Sequence, residues 1–347
     1  MITLKDVARD AGLSPGTVSD ILNGRQGVRY GPATVDRVRR SAERLGYRKN
    51  RAASALRSGQ SRTVGVVVPD LASPVFGVVL QRMAARLRGE GYGIVVEECP
   101  PGIGAGRRRD AVLGLVANRV DGLFAPSAEF GDQAETFRSL AADGVAILAP
   151  PCDPPPASVD SVAVETGTAL RDLLRVAARF GHRRLVLARP WRGQGSFGNA
   201  LDRLPEDWQG IVGGEGRIET VFCEGNGPGA REAFRGAWES GRGSPDRPTC
   251  ALAASEPIAL GVARACRDLR LGIPGGLGLA SLERSPLGGL WPAALTGLGV
   301  DPVAFADRCA NLLLSRMSGR DEEGPKALRF EAELFLGETL AVAPGRG

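Results

Sequence analysis

Ser14, Thr17, Ser19, Asp20 and Asn23 are short polar side chains packed into ten residues. Val18, Ile21 and Leu22 recur at helical spacing among them, so one helix face is apolar. Burying that face turns Pro15, Gly16, Thr17, Ser19, Asp20 and Asn23 outward. Small hydroxyls and amides of this kind donate to phosphate oxygens, and a carboxylate accepts from cytosine N4. A second pair, Leu56 beside Arg57, suits a leucine wedged into a minor-groove step with arginine on the phosphates. Catalytic material is scarce by comparison. The single histidine is His182, and the sequence offers no Ser-His-Asp grouping, no P-loop and no Gly-x-Gly-x-x-Gly after a strand. The reading is therefore of a non-enzyme with no cofactor and no metal.

The elements that must position these residues are legible. Thr3 can cap a helix with Asp6 closing a capping box, Leu4, Val7, Ala8 and Ala11 line one face, and Gly12 stops it. Ser14 caps the next helix, Pro15 takes its first position and Gly24 ends it. A third helix follows Pro32, with Val35, Val38, Ala42 and Leu45 inward and Gly46 at its end. Three helices of this size fit a helix-turn-helix headpiece whose second helix enters the major groove, the alternative being an ordinary small helical bundle with a polar second helix. Asn50 can cap a short hinge helix ending at Gly59, too short to be stable unless it folds against DNA or a partner chain.

Charge supports the assignment. Residues 1–62 carry 13 Lys and Arg against 5 Asp and Glu, a balance of +8; the whole chain has 44 against 39, leaving 31 against 34 beyond residue 62. Basicity confined to one segment is the footprint of nucleic acid. The six cysteines, Cys99, Cys152, Cys223, Cys250, Cys266 and Cys309, are scattered with no CxxC pair and read as reduced, packed thiols. No secretory signal and no apolar run long enough to span a membrane is present, so a cytoplasmic protein with no membrane partner is expected.

The first 57 residues resemble the LacI/GalR family of bacterial transcription repressors. The match rests on Thr3, Asp6, Val7, Ala8, Gly12, Leu13, Ser14, Thr17, Val18, Ser19, Leu22 and Asn23, then Leu45, Gly46, Tyr47, Asn50, Ala53, Leu56 and Arg57. The resemblance implies base reading by Pro15, Gly16 and Asp20. It implies phosphate or orienting contacts by Thr3, Ser14, Thr17, Ser19, Asn23, Tyr47 and Asn50, and a Leu56 wedge flanked by Ala53 and Arg57. Three departures bear on what is read. Asp20 stands where the family often has arginine, so bidentate guanine reading is lost. Pro15 and Gly16 offer little to hydrogen-bond a base. The link Val28–Thr34 is two residues longer than usual.

Beyond Arg62, strands and helices alternate: an apolar strand at 63–69, a helix near 75–90, then strands at 93–97, 120–124, 145–148, 184–188, 219–223, 249–253 and 277–281. Such alternation predicts parallel, doubly wound sheets in two halves with a ligand cleft between them. The resemblance extends here to the family's periplasmic-binding-protein-like sensor, with a last helix at about 302–318 in the first half and a closing strand near 328–335 in the second. Family pocket motifs are altered to Ser73-Pro74-Val75-Phe76, Glu165-Thr166, Ser255-Glu256 and Glu283-Arg284. Asp160 could face the cleft. Trp191 and Trp291 suit either a ligand face or, with more weight, the core, and His182 suits a structural turn more than a ligand.

The expected chain is thus a small all-α helix-turn-helix headpiece (1–48) and a hinge helix (49–61), followed by an α/β two-subdomain sensor. Its subdomains are 62–161 plus 296–323 and 162–295 plus 324–344. The expected function is sequence-specific regulation of transcription, as a homodimeric repressor on a pseudo-palindromic double-stranded operator. A small-molecule effector, sugar-like or divergent, is expected at Ser73, Val75, Phe76, Asp160, Trp191, Ser255, Glu256 and Glu283. The alternative is a vestigial cleft, with control by a protein partner or by concentration.

Overall fold

The computed structural model describes residues 2–23, 30–47, 60–100, 102–190, 198–214, 216–241, 247–320 and 323–344. It divides into two compact units, Met1–Ser61 and Arg62–Gly347.

In the first unit, α1 (Leu4–Ala11), α2 (Pro15–Asn23) and α3 (Pro32–Arg44) enclose a small core. Val7, Ala8, Ala11, Val18, Ile21, Val38 and Ala42 are its buried members. At the start of α1 the Asp6 carboxylate accepts from the Thr3 N–H at 2.9 Å and the Thr3 hydroxyl at 2.6 Å. Gly12 ends α1 at φ +64°, a left-handed position that a β-carbon disfavours. Its turn aims α2 across α1, with Leu13 N–H closing on Ala8 O at 2.9 Å. At the other end, Asp10 accepts from Ser41 and Arg44, tying α1 to α3.

The second unit contains two six-stranded sheets. The first runs β11-β5-β4-β3-β1-β2, with β1 (Thr63–Val68) between β3 and the edge strand β2. Around it lie β2 (Gly93–Glu98), β3 (Gly122–Phe124), β4 (Ala146–Ala149), β5 (Asp160–Glu165) and β11 (Ala327–Glu331). The helices α4 (Pro74–Gly89), α5 (Ala105–Ala117) and α6 (Ala134–Ala142) lie in the loops of this half. The second sheet runs β12-β10-β9-β8-β6-β7. Its strands are β6 (Arg184–Arg189), β7 (Arg217–Phe222), β8 (Cys250–Ala253), β9 (Gly278–Ser281), β10 (Thr296–Gly299) and β12 (Glu333–Phe335). Connecting them are α7 (Gly167–Arg179), α8 (Leu204–Val212), α9 (Gly227–Ser240) and α10 (Glu256–Asp268). All pairings are parallel except β10 with β12. The continuous apolar run Val64–Val68 reflects burial of β1 on both faces.

Helix α11 (Pro302–Met317) returns to the first lobe. Phe305 and Leu313 pack with Val79 and Met83 of α4, and Arg82 grips Asp307 through two bonds of 2.8 and 2.7 Å. The chain crosses between lobes after β5, after β10 and after β11, rather than before them. The expected single strand near 328–335 is accordingly two strands. β11 lies parallel to β5 in the first sheet, because the outer edge of β5 needs backbone partners; β12 turns into the second sheet. Likewise residues 162–165 belong to the first sheet and 296–299 to the second.

His182 is structural. It is fully buried, with Nδ1 2.9 Å from Thr249 Oγ1 and Nε2 2.9 Å from Ala341 O, pinning the C-terminal segment to the start of β8. Burial lowers its pKa below the ordinary imidazole value, the Ala341 carbonyl opposing. The unfolded chain therefore takes up a proton that the folded chain resists. Stability from this site is complete above about pH 6.5 and falls as pH drops below it. Urea midpoints measured at about pH 7.5 and pH 5.5 should show that decline, and His182→Gln should lessen it. An equal decline in both proteins would assign it to another group.

All six cysteines are buried and free. Burial pushes the thiols of Cys250, Cys266 and Cys309 up to about 12 and that of Cys223 to about 11, so they are unreactive packing groups. Among the described residues, no cluster of three or more His, Cys, Asp or Glu could hold a metal, and no helix is long and apolar enough to cross a membrane.

Candidate DNA-reading face and ligand cleft

The apolar face of α2 is held by Val18 and Ile21 against α1 and α3, which turns its other face outward. Ser14, Pro15 and Gly16 are exposed there, while Thr17, Ser19 and Asp20 are half-buried. Ser14 caps the helix: Thr17 N–H donates to its Oγ at 3.1 Å, and the two hydroxyl oxygens lie 2.9 Å apart. Thr3 is exposed at the start of α1 and Tyr47 packs half-buried against the headpiece core. A β-carbon on Gly16 would meet only Ser14 Oγ, at 3.7 Å, so the open space at this position is a property of the residue, not of crowding. The helix main chain includes Asn23, whose side chain lies outside the described residues, as do Asn50, Ala53, Leu56 and Arg57.

Asp20 has a partner that spacing did not reveal. Its Oδ2 accepts from Tyr30 Oη at 3.1 Å, and Tyr30 immediately precedes Gly31, the cap of α3. A residue within the Val28–Thr34 link therefore ties the base-reading candidate back to the headpiece.

In the second unit the strand ends of both lobes open on one cavity of about 290 Å³. Pro69 follows β1, Pro126 follows β3 and Pro150 follows β4, all lining it. Val162 and Val164 of β5, Val75 and Phe76 of α4 and Phe305 of α11 complete the first-lobe wall, with Leu282, Glu283 and Val300 opposite. Of the expected ligand residues, the structure brings together Val75, Phe76 and Glu283. Ser73 joins them through its hydroxyl, which donates to Glu283 Oε1 at 3.4 Å across the two lobes. Glu256 is buried at the start of α10, where its Oε2 accepts from Ser285 N–H at 2.8 Å; neither it nor the half-buried Ser255 lines the cavity. Trp191 lies outside the described residues. Trp291, half-buried, packs on the second-lobe core.

Asp160 does not face the cleft. It is buried beneath Arg316, which grips both its oxygens at 2.9 and 2.8 Å, and Lys326 N–H adds a third bond at 2.8 Å. At the first residue of β5 it lies at the strand's opposite end from the cavity, where it fastens α11 and the segment leading into β11.

Glu283 has an unusual environment. Burial raises its pKa to about 7, opposed by the Ser73 hydrogen bond and reinforced by the nearby Glu256 and Asp70 carboxylates. Arg284 also lines the cavity; its Nε donates to Leu295 O at 3.2 Å and its guanidinium lies 4.7 Å from the Phe335 ring centroid. Gly297 makes room for it, since a β-carbon there would sit 2.9 Å from Ser281 O and 3.1 Å from Arg284 Cβ. The proline walls, Val162 and Val164 were not anticipated, whereas Thr166 and Arg284 stand in pocket motifs that the sequence singled out. The signal for the unanticipated residues was positional, because a pocket in such a fold forms at the carboxyl ends of parallel strands.

Residues 3–50 match the family model for bacterial regulatory proteins of the lacI family, and residues 174–340 match the periplasmic binding protein-like domain. Maltose regulon regulatory protein MalI of Vibrio furnissii is 37% identical over 98 residues, 28% of this chain and 70% of that one. The chain belongs to the lacI family. Across nearly its whole length it is also similar to the HTH-type transcriptional regulator PtxS of Pseudomonas putida, at 26% identity over 96% of this chain and 95% of that one. Its fold is that of the lac repressor dimer solved with operator and the anti-inducer ONPF: TM-score 0.74, 23% identity, covering 98% and 99% of the two chains. As a lacI-family member it is a DNA-binding transcriptional regulator and not an enzyme.

Proposed function

We propose that this lacI-family regulator is a repressor that binds a pseudo-palindromic operator as a homodimer and is switched by a small molecule in the interlobe cleft. The observation that carries the reading is the α2 face: a capped helix with its apolar side buried and Ser14, Pro15 and Gly16 exposed. The excess of +8 over residues 1–62 supplies attraction to phosphates. Pro15 and Gly16 lack hydrogen-bonding side chains and Asp20 is engaged by Tyr30, so direct base readout is thin. More of the specificity then rests on DNA deformability at the Leu56 step. The cleft supports effector control because Ser73 and Glu283 reach each other from opposite lobes, where a ligand's differential affinity for open and closed forms can act.

The coarse reading is tested by titrating random-sequence duplex with the full chain. Binding should be measurable in 50 mM salt and fall by orders of magnitude by 200 mM; no binding at low salt would contradict it. The wedge is tested by Leu56→Ala. It should weaken binding to a preferred sequence by at least about tenfold, the worth of one lost bend-stabilising contact, while random-sequence binding changes little. Equal losses on both DNAs would remove the wedge role.

A further inference from the structure

We propose that the cleft takes a small, mainly apolar amine whose cationic head meets Glu283, in preference to a polyhydroxylated sugar. This rests on the cleft being the effector site and names the class of ligand that its walls suit. A sugar carries hydroxyls around its ring, and each one buried needs a polar partner. Here the wall facing a ligand is built from proline, aliphatic and phenyl groups, Val75, Phe76, Val162, Val164, Val300 and Phe305 among them. Against these, the polar lining side chains among the described residues are Ser127, Thr166, Glu283 and Arg284. Such a wall stabilises a hydrocarbon or aromatic body with one polar end.

The sign of that end follows from the charges around Glu283. Glu256 from the start of α10 and Asp70 from the loop after β1 both disfavour a second negative charge there. Arg284, a cation in the same lining, engages its guanidinium with Leu295 O and the Phe335 ring and not with the Glu283 carboxylate, to which Ser73 gives a weak hydrogen bond at 3.4 Å. An ammonium group would supply both the missing charge and further donors, as a charge-assisted bond. Because Glu283 holds its proton up to about pH 7, binding should also strengthen from pH 6 to pH 8, a range in which an alkylamine stays protonated.

The test uses the full chain and three probes of similar size: phenethylamine, phenylpropionate and glucose, scored by thermal unfolding and calorimetry. Phenethylamine at concentrations well above its Kd should raise Tm by about 2–4 °C, while phenylpropionate and glucose leave it unchanged. Glu283→Gln should remove most of that rise, and the wild-type affinity should increase severalfold from pH 6 to pH 8. Should the variant fail to fold, the wild-type pH series still decides. Glucose stabilising the chain while the amine does not would overturn the ligand class yet keep the effector reading. Stabilisation by none of the three, or amine binding indifferent to Glu283→Gln and to pH, would overturn the proposal. Random-duplex binding measured on the same preparations shows whether the regulator reading stands in either case.

Discussion

Asp160→Ala should lower the unfolding free energy of the sensor unit by about 3–5 kcal/mol, the usual cost of removing one partner from a buried ion pair. Asp160 and Arg316 have side-chain exposures of only 5% and 15%, so solvent cannot take over the role of the lost carboxylate. Three bonds depend on it: two from Arg316 and one from Lys326 N–H. The deletion leaves a guanidinium pressed into the first lobe and loosens the segment that becomes β11. Urea unfolding followed by circular dichroism reads the change directly. Asp160→Ala combined with Arg316→Met should recover part of the loss, because the pair's partner is then no longer an uncompensated charge. A variant of unchanged stability would return Asp160 to the list of ligand contacts from which its burial removes it.

Val18→Asp should abolish DNA binding, with an affinity loss above about 100-fold, while the melting of the sensor unit stays where it is. Val18 is fully buried at the centre of a headpiece core with seven buried members. A unit of this size has only a few kcal/mol of stability to lose, and burying an unpartnered carboxylate costs more than that. The binding-competent fraction falls with the folded fraction, and the apparent affinity falls with it. Residues 1–61 and 62–347 are separate compact units, so the defect should be confined to the first. Binding assays on duplex DNA and scanning calorimetry on the same sample check both halves. A sensor transition displaced along with DNA binding would show that the units do not fold independently.

The headpiece was legible because its signals are local. Thr3 with Asp6, Gly12, Ser14 with Pro15 and Gly46 each mark a helix end within a few residues, and Val7, Val18 and Val38 fall at helical spacing. Tyr30 reaching Asp20 was not legible, since a loop residue's direction has no periodicity to reveal it. In the sensor, the apolar strands flanked by helices were readable; β5 and β10 were not. β5 reads Asp-Ser-Val-Ala-Val-Glu, with polar residues at both ends, and β10 contains two glycines, so neither presents an apolar run. Their absence from the strand list moved the first two lobe crossings to the wrong side of a strand, and the third was moved by reading β11 and β12 as one strand. Asp160 looked like a ligand carboxylate because Arg316 lies far along the sequence, and only the fold brings the two together. The cleft's composition was half visible. Val75, Phe76 and Glu283 stood at altered family motifs, whereas Pro126, Pro150 and Val164 reach the same cavity from strand ends that carry no motif at all.

The central claim, a symmetric DNA reader with a thin base-reading helix, is tested most directly by selecting bound duplexes from a random pool with the full chain and sequencing them. The account predicts enrichment of two inverted half-sites about one helical turn apart. Their information should be concentrated at a flexible central pyrimidine–purine step, with only modest preference under α2. An unenriched pool, or a single asymmetric site read strongly at the positions facing Pro15, Gly16 and Asp20, would contradict it.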